Sequence, residues 1–219
     1  MKKKLVALLA VAMMFASTTT VLAAPSVAAG DLSKNEGNVA KVESMTDAEV
    51  KEVAEKVAVE KEAITAPANV TINEVKPVEA TVYKAAAAEA VKAVKEKFGV
   101  DVTVEATGDV KVTAAIVAAV EIDATITGDK ADIAIAVPDV KAGETVIVLH
   151  QKADGTWEQL PVVEVANGKV TATFTSFSPV VIVKVASTSA KTGVVSVLPL
   201  LATAGLVGAV VTGKKAKNN

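Results

Sequence analysis

The sequence predicts an α+β fold, with two N-terminal helices followed by an antiparallel β-sandwich-like domain. Three observations predict it. Apolar residues recur with a helical period between residues 46 and 98, the period becomes two after Gly99, and Gly-, Asn- and Asp-containing turn signals then recur to residue 179.

The first helix begins with Thr46-Asp47-Ala48-Glu49, a capping box in which Thr46 accepts from the Glu49 backbone and Glu49 reaches back. Val50, Val53, Ala54 and Val57 follow on one face, so a helix is predicted over 46–63, ended by Ala66-Pro67. Residues 69–76 read as extended, with Pro77 as a breaker. Residues 83–98 read as the second helix: Ala87, Ala90, Val91, Val94 and Phe98 share a stripe, and Gly99 is a good C-terminal stop. Residues 24–45 are small and polar and read as a flexible N-terminus, so 46–99 is a helical region and 100–187 the β-domain.

Within that domain, residues 100–105 alternate and Gly108-Asp109 turns. Residues 110–126 suit one bent strand or two, and Gly128-Asp129 turns before 131–137. Residues 138–144 form a loop and 146–150 a strand. Ala153-Asp154-Gly155 marks a hairpin to 157–160, and Asn167-Gly168 marks a second between 162–165 and 170–175. Ser178-Pro179 breaks the chain before a last strand at 180–185.

The two ends differ from the middle. Lys2, Lys3 and Lys4 precede an apolar stretch at 5–15, and Val21-Leu22-Ala23 offers small residues for cleavage after Ala23, or after Ala24. Residues 1–23 therefore read as a signal peptide. At the other end an uncharged run of 19 residues, 194–212, is followed by Lys214, Lys215 and Lys217. As a helix it would be about 28 Å long, close to the ~30 Å hydrocarbon core of a bilayer. Residues 194–213 are thus expected to span a membrane, with 214–219 as a basic cytoplasmic tail. Just before it, at 188–193, stand Ser189, Ala190, Lys191, Thr192 and Gly193. Thr-Gly ahead of such a segment resembles the cell-wall sorting signal of Gram-positive surface proteins, usually Leu-Pro-x-Thr-Gly, with Ala190 in place of the proline. The resemblance implies sortase as a partner, cutting between Thr192 and Gly193 and joining Thr192 to peptidoglycan. An uncut C-terminal transmembrane anchor is the alternative reading.

Removing both end segments changes the charge. All 25 acidic residues lie between Asp31 and Glu164, whereas six of the 23 lysines lie in the end segments, leaving 17 lysines and a net charge of −8 for 24–192. Such an acidic body, without arginine, repels nucleic acid, which is excluded as a partner. With no cysteine, burial and hydrogen bonding must stabilise the fold alone.

Residues 110–185 also resemble a module of secreted and wall-attached proteins of clostridia-like bacteria. The resemblance rests on Val148-Leu149-His150, Asp154-Gly155-x-Trp157-Glu158, Gly168-x-Val170-Thr171-Ala172-Thr173-Phe174 and Thr175-Ser176-Phe177-Ser178-Pro179-Val180. It implies a stalk or display module and carries no known active residue. A lysine–asparagine cross-link of the kind wall proteins sometimes carry is not expected, because the last strand offers Lys184 but no asparagine.

No motif announces a chemistry. His150 is the single histidine, which with no cysteine is a poor zinc set. With Ser176 or Ser178 it formally allows a Ser-His-Asp set, but there is no Gly-x-Ser-x-Gly elbow, and it reads as a strand-end histidine near a hairpin. Asp109, Asp123, Asp129, Asp132 and Asp139 lack a calcium-loop pattern and read as turn residues. No catalytic residue, metal or cofactor is therefore expected. The expectation is an exported, non-enzymatic protein held at the Gram-positive envelope as a structural or adhesive display module. The alternatives are a glycan- or matrix-binding surface protein, using Trp157 or Tyr83 as binding-surface aromatics, and last an envelope hydrolase.

Overall fold

The computed structural model describes residues 32, 34–104, 111–188 and 195–196. The helices are α1 (Val39–Val42), α2 (Asp47–Lys56) and α3 (Ala80–Phe98), with a 3-10 turn at Lys61–Ala63. The strands are β1 (Ile64–Thr65), β2 (Val70–Lys76), β3 (Lys111–Ile126), β4 (Ala131–Ala136) and β5 (Thr145–Gln151). They continue with β6 (Trp157–Leu160), β7 (Val162–Ala166), β8 (Lys169–Phe174), β9 (Pro179–Thr188) and β10 (Val195–Ser196). One sheet has the order β2-β3-β9-β5-β6, with β10 added at the end of β9, and the other has the order β1-β4-β8-β7. All named pairings are antiparallel.

The α+β class and the paired antiparallel sheets agree with the sequence, but the layering is richer. The helices pack on the outer face of the larger sheet, so three layers stack. Val50, Val53, Ala90 and Val94 meet Ile116, Ile147, Leu149, Val181 and Val183 on the helical side. Val120, Ile122, Val148 and Ile182 meet Ile133, Ile135, Val170 and Phe174 between the sheets. The larger sheet is thus buried on both faces, which accounts for uninterrupted apolar runs in place of alternation.

Strand β3 is a single bent strand. Its register against β9 shifts between Ile116 and Ala118. Val112, Ala114 and Ile116 face the helices, Val117 and Ala118 both face the second sheet, and Ala119 faces the helices again. One extra residue thus reverses the phase of the strand, as a β-bulge does.

Only the second half of β3 pairs with β2, from Glu121↔Lys76 to Ile126↔Val70. The first half finds partners in the N-terminal region. Asn38 bridges Ala115, Ile116 N–H donates to the Gly37 carbonyl at 2.9 Å, and Ala119 N–H donates to the Val57 carbonyl at 3.1 Å. Val102 bridges Val112 in parallel.

These contacts correct three boundaries. Residues 46–99 are not a separate helical region, because β1 and β2 lie within it and join the two sheets. The first helix ends at Lys56 rather than near 63, where the Val57 carbonyl is drawn to β3. The end of the expected flexible N-terminus is packed: Leu32, Asn38, Val39 and Val42 are buried, and Leu32 lies on Ala115 and Ala186. Of the alternating segment expected at 100–105, residues 100–104 hold the Val102 bridge alone, and residue 105 and the turn at Gly108-Asp109 lie outside the described residues.

Local signals fared better. Thr46 Oγ1 accepts from Glu49 N–H at 3.3 Å while Thr46 N–H donates to Glu49 Oε2 at 2.8 Å, completing the capping box. The bond from Thr46 N–H, joined by one from Thr46 Oγ1 to the same oxygen, holds the Glu49 carboxyl below its ordinary range. Gly99 takes the left-handed conformation, φ 68°, and caps α3 through Lys95 O.

The signal peptide (1–23), the sorting-like residues 189–193 and the tail (214–219) lie outside the described residues, as do 194 and 197–213 of the expected membrane helix. Val195 and Ser196, expected in that helix, instead pair with Thr188 and Ser187. They take up the end of β9 that β5, whose pairing stops at Val185, leaves open. Among the described residues no helix is long and apolar enough to cross a membrane.

Gly37 tests the closure of β3. A Cβ there would stand 2.5 Å from Ile116 O and 3.0 Å from both Asn35 Oδ1 and Tyr83 Oη. Gly37→Ala should destabilise the fold by about 1–3 kcal/mol in urea unfolding, as overpacking does. An unchanged midpoint would show that this closure carries no stability.

Candidate functional site: a Ser–His–Glu chain at the end of the sheets

His150, Gln151, Trp157 and Glu158 come together because β5 and β6 form a hairpin in which His150 pairs with Glu158 and Gln151 with Trp157. Asp154 shapes the turn by accepting from Thr156 N–H at 2.9 Å and Thr156 Oγ1 at 2.6 Å, which holds its carboxyl below the usual range. On its other side His150 pairs with Val180 of β9, so the loop before β9 lies over the imidazole. Pro179 restricts the preceding Ser178 to extended backbone, which limits where its side chain can point.

The result is a hydrogen-bonded chain. Ser178 Oγ is 2.9 Å from His150 Nε2, and His150 Nδ1 is 3.0 Å from Glu158 Oε1. Lys152 Nζ lies 3.4 Å from the other carboxylate oxygen of Glu158. His150 is 1 % exposed, whereas Ser178 is half-buried. The imidazole meets Phe174 edge-on at 6.4 Å, and Phe174 stacks on Phe177 at 5.6 Å. In the tautomer that carries its proton on Nδ1, the ring donates to Glu158 and turns the Nε2 lone pair toward Ser178. The Ser178 hydroxyl then has two acceptors within reach, Nε2 and the Gln151 carbonyl.

The sequence allowed a Ser-His-Asp set with Ser176 or Ser178 only formally and read His150 as a strand-end histidine. The structure selects Ser178 and leaves Ser176 exposed. The third member is Glu158 rather than an aspartate, legible only once the Asp154-Gly155 hairpin is given its register. Of the two binding-surface aromatics, Tyr83 requires correction. It is fully buried in the helical layer, because α3 turns it inward with Ala86, Ala87 and Ala90. Trp157 is half-buried and packs against the same layer. Among the described residues the aspartates do not converge, Asp123 meeting Asn73 and Asp132 meeting Thr173, while Asp109 lies outside them. No group of three or more metal-ligating side chains occurs among the described residues.

Lys184 is committed elsewhere. Its Nζ lies 2.8 Å from Glu144 Oε2 and donates to Asp139 O at 2.5 Å, with both side chains almost fully buried. The same Glu144 oxygen accepts Lys141 N–H at 2.8 Å, so the pair fastens the loop before β5 to β9.

No protein family, curated protein or solved structure matches this chain.

Two variants probe these buried polar groups. Lys184→Met strands the Glu144 carboxylate and should cost about 3–5 kcal/mol in urea unfolding, with Lys184→Met/Glu144→Gln recovering most of it. Equal losses in both would show that the charge itself is not what matters. Tyr83 Oη has no hydrogen-bond partner among the described residues, and burial pushes its phenol well above the ordinary range. The native state keeps this proton where the unfolded phenol, with a pKa near 10, has lost it, so its contribution falls as pH rises above about 10. Tyr83→Phe should therefore unfold at higher urea, by about 1 kcal/mol, and lose less stability between pH 9 and 11. In the parent chain, phenolate absorbance at 295 nm should appear only with unfolding, and its appearance in the folded state would contradict this.

Proposed function

We propose that the chain is an exported surface protein held at the Gram-positive envelope by its C-terminal end, acting as a structural or adhesive display module. The observation that carries this reading is the placement of β9, the strand leading into the sorting-like residues. It lies between β3 and β5, paired from Glu121↔Pro179 to Lys111↔Thr188 on one side and from His150↔Val180 to Thr145↔Val185 on the other. A tether after Thr188 would pull along β9, loading the hydrogen bonds of both neighbours together instead of peeling an edge strand. The acidic, arginine-free body and the end segments support the same reading. A display role calls for no catalytic group. The glycan-binding alternative is less well supported, because Tyr83 is buried and an aromatic sugar platform would rest on Trp157 alone.

Envelope fractionation with intact mass measurement tests it. Muramidase should release a chain that starts after residue 23 or 24 and ends at Thr192 with a wall fragment attached. A full-length C-terminus extracted only by detergent would replace sortase attachment with a plain membrane anchor. Free secretion, or retention in the cytoplasm, would overturn the envelope reading altogether.

A further inference from the structure

Going beyond the display role, we propose that Ser178 is an activated nucleophile and that the Ser178–His150–Glu158 chain transfers small acyl groups from exposed esters to water. The geometry has two of the parts such chemistry uses: a hydroxyl in reach of a base, and a base oriented by a third group. Ser178 Oγ and His150 Nε2 are 2.9 Å apart, and His150 Nδ1 and Glu158 Oε1 are 3.0 Å apart. The members sit on the paired strands β5 and β6 and at the entry to β9, so backbone pairing positions them.

Accessibility is divided in a useful way. The imidazole is closed off, while Ser178 is half-buried beside the exposed Thr175 and Ser176. A substrate carbonyl can thus meet the hydroxyl without displacing the base. The Gln151 carbonyl also accepts from Ser178 Oγ, so the hydroxyl turns its one proton from that carbonyl to Nε2 before the base takes it. Phe177, half-buried and stacked on Phe174, supplies an apolar surface of modest size next to the nucleophile. The position on the outer end of the sheets suits a short acyl group, such as acetyl, carried on an accessible hydroxyl.

The chemistry closes on itself. Ser178 Oγ forms a bond to the ester carbonyl carbon as its proton passes to His150 Nε2. The tetrahedral adduct collapses, the bond to the alkoxide breaks, and the alcohol leaves with the proton from Nε2. Water then attacks the Ser178 acyl ester, gives one proton to Nε2, and releases the carboxylic acid as that proton returns to Ser178 Oγ. Glu158 touches neither substrate nor reacting atoms. It is a positioning residue that keeps the Nδ1–H tautomer and stabilises the transient imidazolium.

The test uses the purified chain with a fluorophosphonate probe and with p-nitrophenyl acetate. Parent protein and Ser176→Ala should take up one phosphonyl group, mapped to Ser178 by peptide mass, and Ser178→Ala should take up none. Hydrolysis should fall about a hundredfold in Ser178→Ala, the scale of general-base catalysis. Glu158→Gln should lower kcat with little change in KM, and Glu158→Asp should restore part of it. Ser178→Ala removes only one oxygen, and its circular dichroism and urea midpoint report whether it folds. Ser178→Cys keeps a nucleophile at the position, and its acetyl-thioester, trapped at low pH and mapped by mass, is expected. An unlabelled parent, label mapping elsewhere, or hydrolysis equal in parent and Ser178→Ala would overturn the proposal and leave the chain as a structural clasp.

Discussion

Strand β3 carries 16 residues of backbone through the centre of the molecule, and its peptide groups must find partners away from water. The rest of the architecture follows from how that requirement is met. β9 lies along one edge from Lys111 to Glu121. On the other edge β2 covers the second half, and fragments around Gly37, Asn38, Val57 and Val102 cover the first. The helical region is held where its carbonyls complete β3, and α2 ends where Val57 turns to Ala119. The bulge at Val117 lets one continuous strand serve two cores, aiming Ile116 at the helices and Ala118 and Val120 at the second sheet.

Side-chain size follows from the same constraint. A sheet buried on both faces needs small residues where another layer comes close, and Ala114, Ala115, Ala118 and Ala119 supply them in β3 as Ala86, Ala87, Ala90 and Ala93 do in α3. With few aromatics, stability comes from many valines and isoleucines, each contributing about 1.5–3 kcal/mol when fully buried. Buried polar side chains interrupt this apolar interior, and two groupings of them brace β9. Lys184–Glu144 ties the loop before β5 to β9, and His150 ties the β5–β6 hairpin to the loop before β9. Both meet β9, so the strand that leads toward the C-terminal segment is also the one most fully cross-braced.

Placement along β9 separates the two roles argued for this protein. Its end at Thr188 pairs with Lys111 and, beside it, Ala186 lies against Leu32, so both described chain ends gather at one end of the sheet. Ser178 precedes the other end, where the β5–β6 hairpin turns. If the chain is tethered after Thr188, the Ser178–His150–Glu158 chain faces away from the tether. A load-bearing strand and a chemically poised hydroxyl can share one protein without competing for the same residues.

Much of the local structure was legible because its causes are local. The capping box at Thr46, the stop at Gly99 and the hairpins at Asp154-Gly155 and Asn167-Gly168 depend on residues a few positions apart, and alternation marked β4 and β8. The doubly buried sheet was not legible, since an apolar run such as 114–120 states that it is buried but not by what. Nor was the fate of residues 57–63, where backbone groups left free by β3 outweigh helical propensity. The Ser178–His150–Glu158 cluster shows the same division. His150 stood out by being alone, and the turn at 154–155 announced a hairpin, but nothing in the order of residues says that Ser178 lies over His150 or that Tyr83 turns inward. By itself the sequence determined the elements whose hydrogen bonds close within one turn, together with the charge. Only the tertiary structure decided which edges and faces meet, because those choices are set by long-range backbone pairing and by layer packing, whose partners lie tens of residues apart.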